Sequence, residues 1–132
     1  GIEYVSLDEL LKASDIVTLH TPLTEATTHL INSENIKLLK PTALLVNCAR
    51  GPVVDIEAVA TALKEKKFAG AAIDVFEIEP PLATDHVLFG AESALLTPHI
   101  AFATAESMVK RAGITFDNIY TWMDGKQINT IL

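Results

Sequence analysis

Apolar positions along this chain recur with two different periods. In SLDELLKAS the leucines at 7, 10 and 11 fall on one side of a helix, and Ser6 followed by Glu9 has the spacing of a capping box. The run IVTLH, residues 16–20, predicts a strand. After a TPLT turn, NSENIKLLK (32–40) predicts a second short helix that ends at Pro41, whose ring cannot continue the hydrogen-bond ladder. ALLVN (43–47) predicts the next strand. Asp55 predicts the cap of a helix that runs through about Lys66, and AGAAIDV (69–75) reads as a buried strand of small residues. LFGAESALLTP (88–98) contains a short final strand. The longest helix is predicted from near Thr104 to about Met123, where Val109, Ala112, Phe116, Ile119, Tyr120 and Met123 recur at three- and four-residue spacing and Gly125 follows as a stop signal.

Short apolar strands separated by helical stretches imply βαβ units, and hence an α/β fold with a parallel sheet covered on both faces, one half of a doubly wound arrangement. Ligands of such folds bind beyond the carboxyl ends of the strands. The residues to weigh are therefore 20–24, 47–51, 74–80 and 97–101.

At 132 residues and 49% hydrophobic content the chain fits one domain with a real core. No apolar run approaches the roughly 18 residues of a membrane span, and the opening GIEYVSLDEL has no signal-peptide pattern, so the expected setting is cytoplasmic. A net charge of −7 with scattered basic residues disfavours nucleic acid and anionic membranes as partners. Cys48 is the only cysteine, which excludes an intrachain disulfide and a thiolate metal cage. His20, His29, His86 and His99 have no HxH or HxxxH spacing, and no metal is expected.

Three of the strand ends carry chemistry. NCARGPVVD presents Arg50, which can hold a carboxylate with both arms of its guanidinium, and Gly51, which permits a sharp turn. DVFEIEPP gathers Asp74, Glu77 and Glu79 ahead of two prolines, and LLTPHIAFAT sets His99 between a strand and a helix. Taken singly, Arg50 reads first as an ion-pair partner, the acids as a solvated loop and His99 as a packed or capping group. Taken together they are the parts needed to reduce a 2-oxo acid. The arginine can bind the carboxylate and polarise the carbonyl, the histidine can exchange a proton with the oxygen, and the acid can orient the imidazole.

Four blocks, LHTPLTEATTHLIN, LLVNCARGPVVD, AAIDVFEIEPP and LLTPHIAFAT, in this order and at these separations, closely resemble the signatures of the D-isomer-specific 2-hydroxyacid dehydrogenases. The resemblance implies a Rossmann-like sheet, with residues 1–132 forming the later part of an NAD-binding domain together with its C-terminal helix. It implies NAD as cofactor, a small D-2-hydroxy or 2-oxo acid as substrate and a homodimer of the full-length protein. Arg50 takes the role of substrate binder, His99 that of general acid/base and Glu79 that of its partner. Asp74 would contact the nicotinamide carboxamide. Thr21, Pro22 and Thr27 would lie against the adenosine side, with Cys48 and Ala49 contributing backbone; for Cys48 simple burial is the other reading. His20 ends its strand near the cofactor or satisfies backbone groups, His86 sits in a loop without an assigned role, and His29 reads as surface.

The chain departs from the family in what it lacks: the pyrophosphate loop, the acidic ribose-binding residue and first strands of the sheet, and the separate substrate-binding domain. Its six glycines, at 1, 51, 70, 90, 113 and 125, contain no GxGxxG, the turn on which a dinucleotide pyrophosphate rests. The chain therefore reads as part of a longer protein, inactive alone, with Phe116, Ile119 and Tyr120 exposed and prone to self-association. The alternative reading is an NADH-sensing, co-repressor-like binding protein of the same fold; steady NADH oxidation with a 2-oxo acid favours the enzyme, and tight NADH binding plus a peptide partner favours the sensor.

Overall fold

A computed structural model describes residues 1–79 and 82–130. They fall into two compact units, divided between His99 and Ile100.

The first unit is built on four strands, β1 (Ile16–Leu19), β2 (Leu44–Asn47), β3 (Gly70–Ile73) and β4 (Ala94–Leu96), which lie in chain order and are all parallel. Helix α1 (Leu7–Ala13) starts at the expected capping box, in which the Ser6 hydroxyl accepts from the Glu9 N–H while the Glu9 carboxylate accepts from the Ser6 N–H. Helix α2 (Ile56–Lys64) connects β2 to β3 and starts at Asp55, whose carboxylate accepts from the Ala58 N–H.

The stretch 32–40 corrects the expectation of a second helix, because only a 3-10 turn at Ile36–Leu38 forms. Two asparagines compete with the helix for backbone groups. The Asn32 side-chain Oδ1 accepts from the Glu34 and Asn35 N–H groups, and the Asn35 side chain accepts from the Asn32 N–H and donates to the Leu30 carbonyl.

The register puts Val17, Leu45 and Ala71 in one row and Leu19, Asn47 and Ile73 in the next, on a shared face that is buried against the core. On the opposite face Ile16, Leu44 and Leu95 are exposed.

The second unit holds α3 (Ala105–Met123), started by the Thr104 hydroxyl accepting from Ser107 N–H and followed by Gly125 at φ 74°. None of its residues is buried, and Phe116, Ile119 and Tyr120 are exposed as expected, with Phe116 and Tyr120 stacked. No helix among the described residues is long and apolar enough to cross a membrane.

Candidate active site

Because the strands are parallel, their carboxyl ends share one edge of the sheet, and each delivers a short loop there. At the exit of β2, Asn47 is completely buried in a position where an apolar side chain would ordinarily point inward. Its amide donates to the Arg50 carbonyl at 3.0 Å and accepts from the Ala49 N–H at 3.0 Å, so residues 48–50 wrap around one side chain. Ala49 turns inward and is buried; Cys48 and Arg50 turn outward. Cys48 is exposed, which removes burial as its explanation. Arg50 donates from Nη1 to the Ala49 carbonyl at 2.6 Å and, among the described residues, makes no ion pair.

Gly51 serves a different purpose from the sharp turn its sequence suggests, since Gly125 is the one described glycine at positive φ. A Cβ at Gly51 would lie 2.0 Å from the carbonyl carbon and oxygen of Phe76. Glycine lets the β2 exit press directly on the β3 exit.

Beyond β3, Asp74 is buried. Its N–H donates to the Asn47 carbonyl at 3.0 Å, and its carboxylate accepts from the Thr97 hydroxyl. Two residues on, the Phe76 N–H donates to Glu79 Oε1 at 3.0 Å, and Glu79 Oε2 lies 2.6 Å from His99 Nδ1. The hydrogen bond with His99 holds the Glu79 carboxyl below its ordinary range; burial opposes the shift, while the Phe76 N–H and the charges of His99 and Arg50 reinforce it. Glu79 thus lies within electrostatic reach of both Arg50 and His99.

His99 has φ 55°, in the left-handed region that costs a residue with a Cβ about 1–2 kcal/mol. Its N–H is shared between the Asp74 carbonyl at 2.7 Å and the Thr97 carbonyl at 3.1 Å, which fixes the backbone there. An apolar cleft of about 420 Å³, bounded by Phe76, Ile78, Leu82 and Phe89, opens beside Glu79 and His99.

At the β1 exit a second hollow, of about 580 Å³, is lined by His20, Thr21 and Pro22 and by Cys48, Ala49 and Arg50. Here the Thr21 hydroxyl is buried with no hydrogen-bond partner among the described residues. Thr27 does not line this hollow. Its hydroxyl donates to the Pro22 carbonyl at 2.7 Å and accepts from the Thr24 N–H at 2.8 Å, which holds the turn instead. His20 bonds to the Thr18 hydroxyl rather than to backbone.

Asn47 and Thr97 were not singled out individually from sequence. A polar residue at an inward position of an otherwise apolar strand marks Asn47, while nothing but its place after β4 marks Thr97.

The family described as D-isomer specific 2-hydroxyacid dehydrogenase, NAD binding domain, matches residues 1–101. The chain belongs to that family. A glyoxylate reductase of Thermofilum pendens is 49% identical over 126 residues, which are 96% of this chain, and one of Thermococcus onnurineus is 46% identical over 132. Among solved structures, D-lactate dehydrogenase from Aquifex aeolicus, complexed with NAD and lactic acid, matches with a TM-score of 0.82 at 39% identity, covering 93% of this chain and 41% of that one. The chain spans 37% and 39% of the lengths of the two glyoxylate reductases. The α/β class and the parallel sheet of this dehydrogenase domain agree with the sequence-based expectation.

Proposed function

We propose that this chain is the later part of the NAD-binding domain of a dehydrogenase that interconverts a small 2-oxo acid and its D-2-hydroxy acid, with glyoxylate the first substrate to try. The observation that carries the reading is the 2.6 Å contact of Glu79 with His99 beside the charge of Arg50, all at the carboxyl edge of the sheet. The relatives named glyoxylate reductase support the choice of substrate.

The chain fits the cofactor at the β1 exit. The unpartnered Thr21 hydroxyl forgoes about 1–3 kcal/mol by its burial there, and a ligand oxygen or nitrogen in the hollow would restore it. We assign Thr21, Pro22, Cys48 and Ala49 to that side and Asp74 to the nicotinamide amide. When bound, NADH supplies the hydride that reaches C2 of the substrate.

The chain's own residues do the rest. Arg50 is held by Nη1 and presents its remaining N–H groups to the substrate carboxylate and carbonyl. With Nδ1 engaged by Glu79, His99 carries on Nε2 the proton that passes to the substrate oxygen. Glu79 fixes the ring's orientation and balances the imidazolium charge.

The test is turnover by the full-length protein with NADH and glyoxylate, pyruvate or hydroxypyruvate. Proton transfer of this kind is worth about 10²- to 10⁴-fold, and His99→Ala should lower kcat by at least that lower figure. A full-length protein inert on the whole panel would overturn the reading.

A further inference from the structure

Two carboxylates of the loop after β3, Glu77 and Glu79, each pair with a histidine. The one outside the site is Glu77 with His86, where Oε1 and Nε2 lie 3.0 Å apart and the imidazole side chain is 7% exposed. His86 Nδ1 accepts from the Leu88 N–H at 3.4 Å, which puts the ring proton on Nε2 and makes His86 the donor to Glu77. The ring stands edge-on to Phe76, with centroids 5.5 Å apart, and tilts against Phe89 at the same separation. Leu88, fully buried, roots this 3-10 turn (Val87–Gly90) in the core.

One side chain therefore joins a core-rooted turn to the loop that carries Glu79. Among the described residues, the bond to His86 is the only side-chain bond Glu77 makes, and Ile78 beside it is exposed. Residues 77–79 have Gly51 pressing on the Phe76–Glu77 backbone at one end and the Glu79–His99 contact at the other. Between these, His86 is the tether.

We propose that His86 is a positioning residue for the Glu79–His99 pair, holding the loop through Glu77 and Phe76 so that the Glu79 carboxylate meets His99 Nδ1. This rests on the reading that the pair handles the proton. It also separates His86 from a turn cap alone, because a cap has no reason to influence Glu79.

The experiment is NMR on this chain, reading the side-chain carboxyl titration of Glu79 and the ring nitrogens of His99 in four variants. In Glu77→Leu and His86→Phe the Glu79 midpoint should return toward the ordinary 4.5, and the Nδ1–H signature of His99 should be lost. Glu77→Gln and His86→Gln keep an acceptor and a donor, and should restore both signals. Parent-like Glu79 and His99 signals in Glu77→Leu would overturn the proposal. That variant removes a partly exposed carboxylate and spares the core, so it decides the matter even if His86→Phe does not fold. Turnover enters none of these readouts, so an inert full-length protein would count against the proposed activity and leave the positioning role standing.

Discussion

Gly51→Ala adds one methyl group, yet it should damage this site more than any other single-carbon change. The new Cβ would sit 2.0 Å from two backbone atoms of Phe76 and 2.5 Å from the Glu77 nitrogen, and none of these is the yielding tip of a side chain. Reaching the roughly 3.5 Å of normal carbon contact requires the Phe76–Glu77 backbone to retreat by about 1.5 Å. That retreat stretches the 3.0 Å bond from Phe76 N–H to Glu79 beyond bonding range. Overpacking of a buried contact costs about 2 kcal/mol and the lost hydrogen bond about 1, so the expected loss is about 3 kcal/mol. Urea denaturation followed by circular dichroism measures it, read as a lower midpoint at unchanged slope. A second readout is the carboxyl titration of Glu79, which should move up toward 4.5 as His99 is lost as a partner. A variant within about 0.5 kcal/mol of the parent, with the Glu79 titration unchanged, would refute the claim that close approach is why glycine stands at 51.

Other outcomes follow from the same geometry. Asn47→Ala strands the Ala49 N–H and the Arg50 carbonyl, and should cost about 3 kcal/mol in urea unfolding; a loss below about 1 kcal/mol would show that the loop holds itself. Because the Glu79 carboxyl is held below 4.5 in the fold, the pair's contribution is complete above pH 4.5 and disappears as pH falls through the lowered value; a carbon-detected midpoint at or above 4.5 contradicts this. Gly113→Ala lies inside α3 with nothing within 4 Å of the added carbon, and should strengthen the helix by up to about 1 kcal/mol, visible as higher ellipticity and a later melt.

Elements governed by local chemistry were legible in the sequence. Ser6 with Glu9, Asp55 and Thr104 each start the helix their side chains can cap, and the short apolar runs become β1 to β4. The failure at 32–40 is also local: Asn32 and Asn35 offer the backbone partners that a helix cannot match. What hydrophobic periodicity could not supply was which apolar strand residues stay exposed, as Ile16, Leu44 and Leu95 do. At the site, Arg50, Glu79 and His99 were marked in the sequence as candidates because their types and strand-end positions suit one chemistry, and Glu79 does lie against His99. The groups that hold them were not. Gly51, Thr97 and His86 act through contacts with residues 9 to 25 positions away, which no short-range pattern encodes, and Asn47 is signalled only by its polar type at an inward strand position.

The left-handed backbone at residue 99 has a consequence for how loss of chemistry should look. Alanine there inherits the same unfavourable dihedral as histidine, whereas glycine escapes it, so His99→Gly should melt later than His99→Ala by about the 1 kcal/mol that glycine saves. A sequence chosen for durability alone would carry glycine or asparagine at this point. Imidazole is seated where the main chain resists it, and a glycine variant that outlasts the alanine variant on heating is the expected mark of a residue held against its backbone preference.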